Sequence, residues 1–211
     1  MARRALKDCF YWLTECTKTK DEQDEKDPLK PFPKREYLRV LVDVLEYEPV
    51  VFLEKSRTMM LSWMVSGWAA WKGFRHPATK VVFQSDDEDR AVHDVEYVKE
   101  LWKNSLPALQ RRWPHKHREI DEPYNAFYMA NGSCFVGIPG NPKKVRSEHP
   151  SIYIMDEAAH IEQGEEAYNV AARTECPHLI ALSSAAPGWF RDFTIGASPV
   201  DWPDYRRKRA A

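Results

Sequence analysis

Short apolar runs alternate with stretches of helical periodicity across residues 50–184. The apolar runs begin near Val50, Lys80, Ser151 and His178, and each has the length of one buried strand. Helical patterns separate several of them. Such alternation predicts an α/β fold with a mostly parallel central sheet flanked by helices. Ligands of these sheets bind at the carboxyl ends of the strands, where the most unusual residues of this chain also lie.

A β-hairpin is predicted within the stretch AFYMANGSCFVGI, where Asn131-Gly132 separates two alternating runs. We interpret this hairpin as an insertion into the sheet. The charged run 18–28 contains no apolar residue apart from its proline and is typical of an exposed linker. The helices predicted from apolar spacing cover roughly residues 3–17, 34–48, 61–74 and 86–104.

Two adjacent carboxylates follow the most apolar strand, in the stretch SIYIMDEAA. Asp156 and Glu157 emerge where the chain leaves the sheet, and burying them is costly unless a cation or a donor pairs with them. A magnesium ion and an attacking water would do so. Asp156 would then hold the metal, and Glu157 would orient and deprotonate the water. The alternative is an acidic helix N-terminus, where both residue types are favoured.

The stretch LEKSRTMMLS, residues 53–62, joins the first strand to a helix, which is where a phosphate-binding loop would lie. Aligned with the pattern GxxxxGK[ST], only Ser62 keeps the expected residue type. Met60 stands at the second glycine and Leu61 at the lysine. A left-handed backbone at Met60 would cost about 1–2 kcal/mol, so the sequence predicts either an altered loop or a weak site.

Positive charge enters this loop at two other positions, Lys55 and Arg57. A guanidinium can bridge two phosphate oxygens, and the amides that begin the following helix also attract an anion. We expect the loop and the carboxylate pair to end neighbouring strands and to share one cavity. The alternative is an ordinary solvated basic turn.

Composition excludes several other classes of protein. No apolar run approaches the roughly 20 residues of a membrane span, and the first residues lack the pattern of a secretory signal, so we expect an intracellular protein without a membrane segment. The four cysteines form no CxxC pair and are expected to be reduced. The net charge of -1 means that any nucleic acid would be held by local basic patches.

Five motifs, in order, resemble the ATPase domain of tailed-phage large terminase subunits. LEKSRTMMLSW resembles their deviant phosphate loop, and VVFQSDDEDRA resembles the strand and loop that follow it. The NGS hairpin, SIYIMDEAAH and LIALSSAAPGWF are similar to their hairpin, second acidic motif and coupling motif. The resemblance implies a P-loop NTPase core of the additional-strand (ASCE) type over residues 31–192. An N-terminal helix and linker (1–30) would precede it, and a tail (193–211) would lead toward a nuclease domain. The nuclease would then have been separated from this chain or would lie on another subunit.

The resemblance also implies a site for ATP and Mg²⁺. Ser62 and Asp156 would hold the metal, Glu157 would activate water, and Arg57 would stabilise the transferred phosphoryl group. The loop residues expected around the nucleotide are Lys55, Ser56, Arg57, Thr58, Met59, Met60, Leu61 and Ser62.

Further roles are implied outside this loop. Arg146, ten residues before Asp156, would act as an arginine finger in the site of a neighbouring subunit, or else belong to a basic surface turn. Ser183 and Ser184 would couple loss of the γ-phosphate to movement, or else form a polar strand end. The glutamine that commonly contacts adenine in this family is missing, so the candidates for that contact are Phe32, Arg35 and Tyr37.

The function implied by the resemblance is a motor that hydrolyses ATP to move double-stranded DNA into a procapsid in the host cell cytoplasm. The expected partners are the portal of the procapsid, the small terminase subunit and further copies of this chain in a ring. Two alternatives remain: a nucleotide-binding or scaffolding domain without turnover, and a helicase-like ASCE ATPase that acts on DNA. Nuclease activity is not expected, because only one carboxylate pair is well placed.

Overall fold

The computed structural model describes residues 1–21, 24–56, 59–116 and 123–196, and every structural statement below concerns these ranges. The strands are β1 (Thr19–Lys20), β2 (Leu29–Lys30), β3 (Val50–Glu54), β4 (Lys80–Gln84), β5 (Ala126–Tyr128), β6 (Cys134–Ile138), β7 (Ile152–Asp156) and β8 (His178–Ser183). The helices are α1 (Ala2–Ala5), α2 (Cys9–Glu15), α3 (Glu36–Tyr47), α4 (Leu61–Arg75), α5 (Glu88–Lys103), α6 (Pro107–Arg112), α7 (Pro142–Arg146), α8 (Gly164–Arg173) and α9 (Trp189–Gly196). A short 3₁₀ turn, Ala158–His160, follows β7.

The central sheet has the strand order β3-β8-β7-β4-β6-β5. All neighbouring strands in it are parallel except β5, which is antiparallel to β6. The prediction of a mostly parallel α/β sheet is therefore confirmed. The register aligns Glu54 with Ser183 and Asp156 with Leu182, so the carboxyl ends of β3, β8 and β7 form one edge.

The expectation that the loop and the carboxylate pair end neighbouring strands is wrong, because β8 lies between β3 and β7. After its first residue β8 is buried throughout, from Leu179 to Ser183. A strand that is apolar on both faces is stable only with neighbours on both sides and helices above and below it. The last strand of the described sheet therefore takes a central position, and its polar end lies between the two motifs.

The predicted hairpin is present and forms the far side of the sheet. Gly132 has φ of 87°, a left-handed conformation that glycine adopts without strain. The side chain of Asn131 donates a hydrogen bond to the carbonyl oxygen of Gly73 at 2.9 Å, which ties the turn to the end of α4. Through β6 the hairpin pairs in parallel with β4, so it extends the sheet.

One face of the sheet is covered by α4, which is buried on nearly all sides and packs against α3 and α5. The first residues of the chain belong to this layer. Trp12 is fully buried in it. Leu13 packs closely on α4, because a Cβ added at Gly67 would lie 2.7 Å from a methyl group of Leu13.

Two details of the N-terminal region differ from the predictions. The single helix expected over residues 3–17 is divided into α1 and α2, because Asp8 caps the second helix by accepting a hydrogen bond from the Tyr11 amide at 2.8 Å. The run 18–28 is not wholly an exposed linker, since Thr19 is buried and pairs with Lys30 in a two-stranded ribbon.

The other face of the sheet carries α7, α8 and α9. Phe52 of β3 packs there against aromatic rings of α8 and α9, including Tyr168 at 5.4 Å and Phe190 at 5.8 Å between ring centroids. Among the helices in the described ranges, none has both the length and the apolar character needed to cross a bilayer.

Candidate nucleotide site

The side chains of three residues, Ser62, Asp156 and Glu157, meet around the ammonium group of Lys55. Its backbone amide donates to the Ser183 carbonyl oxygen at 2.8 Å, which continues the β3–β8 ladder by one residue. Its Nζ lies 2.5 Å from Asp156 Oδ1, 3.2 Å from Glu157 Oε1 and 3.0 Å from Ser62 Oγ. The first residue after β3, the first turn of α4 and the end of β7 therefore form one polar cluster.

This cluster is largely removed from solvent, because the side chains of Lys55 and Asp156 are 12% and 13% exposed. Burial alone would lower the pKa of Lys55, but the charges of Asp156 and Glu157 outweigh it and raise the pKa above its ordinary value. Burial likewise acts to raise the pKa of Glu157, yet Lys55, the Ser184 amide and His160 bring it below its ordinary value. The lysine and Glu157 are thus both charged at neutral pH.

The loop ends in a strained residue. Met60 precedes α4 and has φ of 59° and ψ of 22°, the left-handed conformation in which the phosphate-loop pattern places glycine. Its side chain and that of Met59 pack against the core, and the Tyr37 hydroxyl donates to the Met59 carbonyl oxygen at 3.0 Å. Met60 therefore has the backbone conformation expected of the glycine in the pattern, and the loop is not altered at this residue. Arg57 and Thr58 lie outside the described residues, and the predictions made for them stay predictions.

A second strained residue lies across the cluster. Glu157 has φ of 51° and ψ of 39°, and its amide donates to the Asp156 carboxylate at 2.8 Å. Left-handed backbone at a residue other than glycine costs energy and is concentrated at functional sites. Here it turns the Glu157 side chain from the end of β7 toward the end of β8.

The two serines predicted for coupling contact Glu157 directly. The Ser183 hydroxyl, the Ser184 amide and the Ser184 hydroxyl lie 3.5, 3.4 and 3.4 Å from Glu157 Oε2. Ser183 is fully buried, and its hydroxyl accepts a hydrogen bond from the Ala159 amide at 3.2 Å. The carboxylate is consequently held by Lys55 through one oxygen and by β8 through the other.

Two residues of this cluster were not predicted. His160 Nε2 lies 3.1 Å from the Ser184 hydroxyl, and its only signal in the sequence is its place in the turn DEAAH. Ser85, at the end of β4, donates to the Asp156 carbonyl oxygen at 3.1 Å. Its signal is its position after the second predicted strand, at the same edge of the sheet.

Asp94, also not predicted, is a buried acid on α5. It is 4% exposed, and its Oδ2 has no hydrogen-bond partner among the described residues. Burial raises its pKa well above the ordinary value, the charge of Asp156 adds to this, and that of Lys55 opposes it. Its signal in the sequence is that an acid lies on the apolar side of α5, beside Ala91, Val95 and Val98.

The donor set fits Mg²⁺ with few protein ligands. Within the described ranges, no three His, Cys, Asp or Glu side chains converge closely enough to hold a metal ion by themselves. Ser62 and Asp156 offer one hydroxyl and one carboxylate, and the unpaired oxygen of Asp94 indicates a missing donor nearby. Mg²⁺ matches this set because it keeps several waters and takes one or two protein ligands together with phosphate oxygens.

The other predicted residues lie further away. Phe32 is 1% exposed in the core, so its ring is not accessible to a ligand in this structure. Arg35 precedes α3 and lines a separate cavity of about 290 Å³ between α2 and α3. Arg146 is exposed at the end of α7, two residues before Glu148, which pairs with Lys80 at the amino end of β4. Ser56 is exposed and Leu61 is buried.

A cavity of about 370 Å³ lies beside the cluster rather than over it. It is bounded by Glu54, which precedes Lys55, and by Ala185, which follows Ser184, and α9 closes it with Phe190 and Arg191. Its volume lies within the range of small-molecule sites.

The fold has counterparts among solved structures. No protein-family model matches the sequence, and no curated protein sequence matches it significantly. The structure is similar to the large terminase ATPase domain of Thermus phage P74-26, with a TM-score of 0.54 and 18% identity over 82% of this chain and 75% of that one. It is also similar to the HK97 bacteriophage large terminase, with a TM-score of 0.62 and 11% identity over 84% of this chain. This chain spans 37% of the HK97 protein. The fold is thus similar to that of phage large terminase ATPase domains. Its sheet has β8 between β3 and β7.

Proposed function

We propose that this chain is a Mg²⁺-dependent ATPase and the motor domain of a phage large terminase, which moves double-stranded DNA into a procapsid. One observation carries the proposal. The Lys55 ammonium group lies within hydrogen-bonding distance of Ser62 and Asp156 and pairs with Glu157, at the carboxyl edge of the sheet. The fold is shared with terminase ATPase domains.

In this proposal ATP binds along the strand ends, with its phosphates at the first turn of α4. Ser62 and Asp156 hold Mg²⁺, which neutralises charge on the β- and γ-phosphates when it is bound. Lys55 leaves its carboxylate partners for the phosphate oxygens, and Arg57 stabilises the charge that spreads over the transferred group. The amides that begin α4 add a further anion-binding element.

Glu157 is the general base of the proposed reaction. As a carboxylate it can accept a proton from the attacking water, and the Ser184 amide and His160 still favour its ionised form after Lys55 has left. The contacts of Ser183 and Ser184 with Oε2 fix the side chain to the end of β8. Movement of β8 or of the segment after it would therefore change the position of the base, which gives these serines a coupling role.

Assembly into a ring on the portal, contact with the small terminase subunit and binding of DNA in the host cytoplasm belong to the same proposal. Arg146 would reach the site of a neighbouring subunit. Lys143 and Lys144, exposed on α7 beside it, would contact DNA phosphates, which makes binding weaker at higher salt.

A second candidate function is a nucleotide-binding or scaffolding domain without turnover. The observation that favours it is the position of Lys55, whose ammonium group lies between Ser62 and Asp156, the two groups proposed to hold the metal. A chain that kept this arrangement permanently would exclude the metal and would not hydrolyse ATP.

The experiment that tests the proposal measures ATP hydrolysis with and without double-stranded DNA, on the chain assembled with portal, for the parent and for Glu157→Gln. We expect hydrolysis to fall about 10²–10⁴-fold while ATP binding is kept, because only the general base is removed. Glu162→Gln, at an exposed acid in the same turn region, is the matched control and should leave hydrolysis unchanged. Hydrolysis that survives Glu157→Gln would refute the assignment of the base. A parent chain without hydrolysis in the assembly would favour the scaffolding function.

A further inference from the structure

Asp94 lies beside the first turn of α4 although it belongs to α5. The two helices pack closely, and the ring of Tyr97 stacks on that of Trp63 with a centroid distance of 4.0 Å. Asp94 precedes Tyr97 by one helical turn and so shares its face, while Ser62 directly precedes Trp63. This packing places Asp94 on the side of α5 that faces the start of α4, and Asp156, Lys55 and Glu157 all act electrostatically on its carboxylate.

One oxygen of the buried Asp94 carboxylate lacks a hydrogen-bond donor. The residue is 4% exposed and its Oδ2 is unpaired among the described residues, although Lys55, Asp156 and Glu157 all act on it electrostatically. Lys55 cannot supply the donor as well, since its three N–H groups already face Asp156, Glu157 and Ser62. A buried carboxylate oxygen without a partner is costly, so its retention calls for a ligand that brings donors.

Hydrated Mg²⁺ is the ligand whose chemistry matches this gap. Its bound waters are strongly polarised donors, and it keeps several of them when only one or two protein groups coordinate it. Because no three acidic, histidine or cysteine side chains in the described ranges converge on one point, Asp94 would act through water and not by direct coordination.

We infer that Asp94 is a positioning residue that accepts hydrogen bonds from the water shell of Mg²⁺ held by Ser62 and Asp156. The inference rests on the proposed ATPase function and adds a residue to its site. Removing a residue that holds a metal through its ligands typically lowers the metal affinity by about 10–100-fold.

The test compares Asp94→Asn with Asp89→Asn, the same substitution at an exposed position on the same helix. Mn²⁺ is titrated into each chain with a non-hydrolysable ATP analogue, and free Mn²⁺ is followed by electron paramagnetic resonance. We expect the half-saturating Mn²⁺ concentration to rise about 10–100-fold for Asp94→Asn and to stay unchanged for Asp89→Asn. Binding of the analogue in excess chelator should remain within about twofold of the parent, because only contacts made through the metal are lost.

A purely structural role for Asp94 predicts the opposite pattern. The metal-free Asp94→Asn chain should be at least as stable as the parent, since a buried acid with an unpaired oxygen is replaced by a neutral amide of the same shape. Lower stability in urea together with an unchanged Mn²⁺ dependence would overturn the inference. Asp94→Ser is a second variant that also lacks the carboxylate and should show the same rise. Failure of both variants to fold would also overturn the inference. A parent chain that binds no Mn²⁺ with the analogue would refute the proposed function as well, whereas normal Mn²⁺ dependence in both variants would refute this inference alone.

Discussion

The ammonium group of Lys55 lies 2.5 Å from the carboxylate of Asp156, although β3 and β7, which lead to these residues, are separated by β8. The same group lies 3.0 Å from the Ser62 hydroxyl. A protein cation therefore stands between the two groups that we propose as ligands of Mg²⁺. Binding of metal and nucleotide would require Lys55 to exchange its carboxylate partners for phosphate oxygens, so each ligand should strengthen binding of the other.

Replacement of Lys55 by methionine should lower the free energy of unfolding of the metal-free chain by about 3 kcal/mol, because two largely buried carboxylates lose their cation. Mg²⁺ alone should stabilise this variant more than the parent, since a divalent cation can then lie between the acids. Urea unfolding with and without Mg²⁺ measures both effects. Lys72→Met is the matched control, because Lys72 pairs with Glu46 at 3.3 Å away from the site. Equal stabilisation of parent and Lys55→Met by Mg²⁺ would contradict the prediction.

The stability contributed by the Lys55–Glu157 pair should depend on pH at both ends of the scale. The pKa of Glu157 is lowered from 4.5, so its contribution is complete above that value and is lost as the pH falls through the lowered pKa. The pKa of Lys55 is raised from 10.5, so its contribution is complete below that value and is lost at higher pH. The difference in unfolding free energy between parent and Lys55→Met should be largest between neutral pH and about pH 9.5, and it should shrink as the pH falls below about 4. A difference that grows as the pH falls would contradict this assignment.

The positions of the strands and of the longer helices could be predicted because apolar runs and helical spacing are local signals. The carboxylate pair and Lys55 were found for the same reason, since each directly follows a predicted strand. The residue patterns alone did not show that β8 lies between β3 and β7, because strand order is decided by packing between distant segments. Burial of β8 from Leu179 to Ser183 agrees with its central position.

Asp94 and His160 were missed because a single polar residue in a helix or a turn carries no pattern of its own. Asp94 becomes informative only when α5 is packed on α4 and its oxygen is found without a donor. Met60 shows a different limit. From the sequence, a methionine at this position was compatible with an altered loop. In the structure Met60 keeps a left-handed backbone, held by packing of Met59 and Met60 on the core and by the hydrogen bond from Tyr37.

At Met60 the usual order of stability between an alanine and a glycine variant should be reversed. Both substitutions remove the same packing, but only alanine keeps a Cβ in the left-handed conformation, at φ of 59°. Met60→Gly should therefore be about 1 kcal/mol more stable than Met60→Ala. At Glu96, an exposed position within α5, the alanine variant should instead be more stable than the glycine variant by about 1 kcal/mol. Urea unfolding of the four variants tests this, and the same order at both positions would contradict it.

The two coupling serines should differ in their contribution to stability. Ser183→Ala leaves the Ala159 amide without its buried acceptor and should cost about 1–3 kcal/mol. Ser184 is only partly buried, and its backbone amide still donates to Glu157 after Ser184→Ala, so that change should stay within about 0.5 kcal/mol. Urea unfolding at neutral pH compares them. Equal losses would mean that the hydroxyl of Ser183 does not hold the turn after β7.

Arg146 should act on a neighbouring subunit if the ring proposal is correct. Arg146→Ala and Glu157→Gln should each abolish hydrolysis in the assembled motor, the first by about 10³-fold or more. Mixing the two inactive chains should restore part of the activity, because an Arg146→Ala chain still has its own Glu157 and can receive Arg146 from a Glu157→Gln neighbour. Ser147→Ala, at the exposed residue directly after Arg146, is the control and should stay active without mixing. Hydrolysis by the Arg146→Ala chain alone, or a mixture with no recovered activity, would exclude an arginine supplied between subunits.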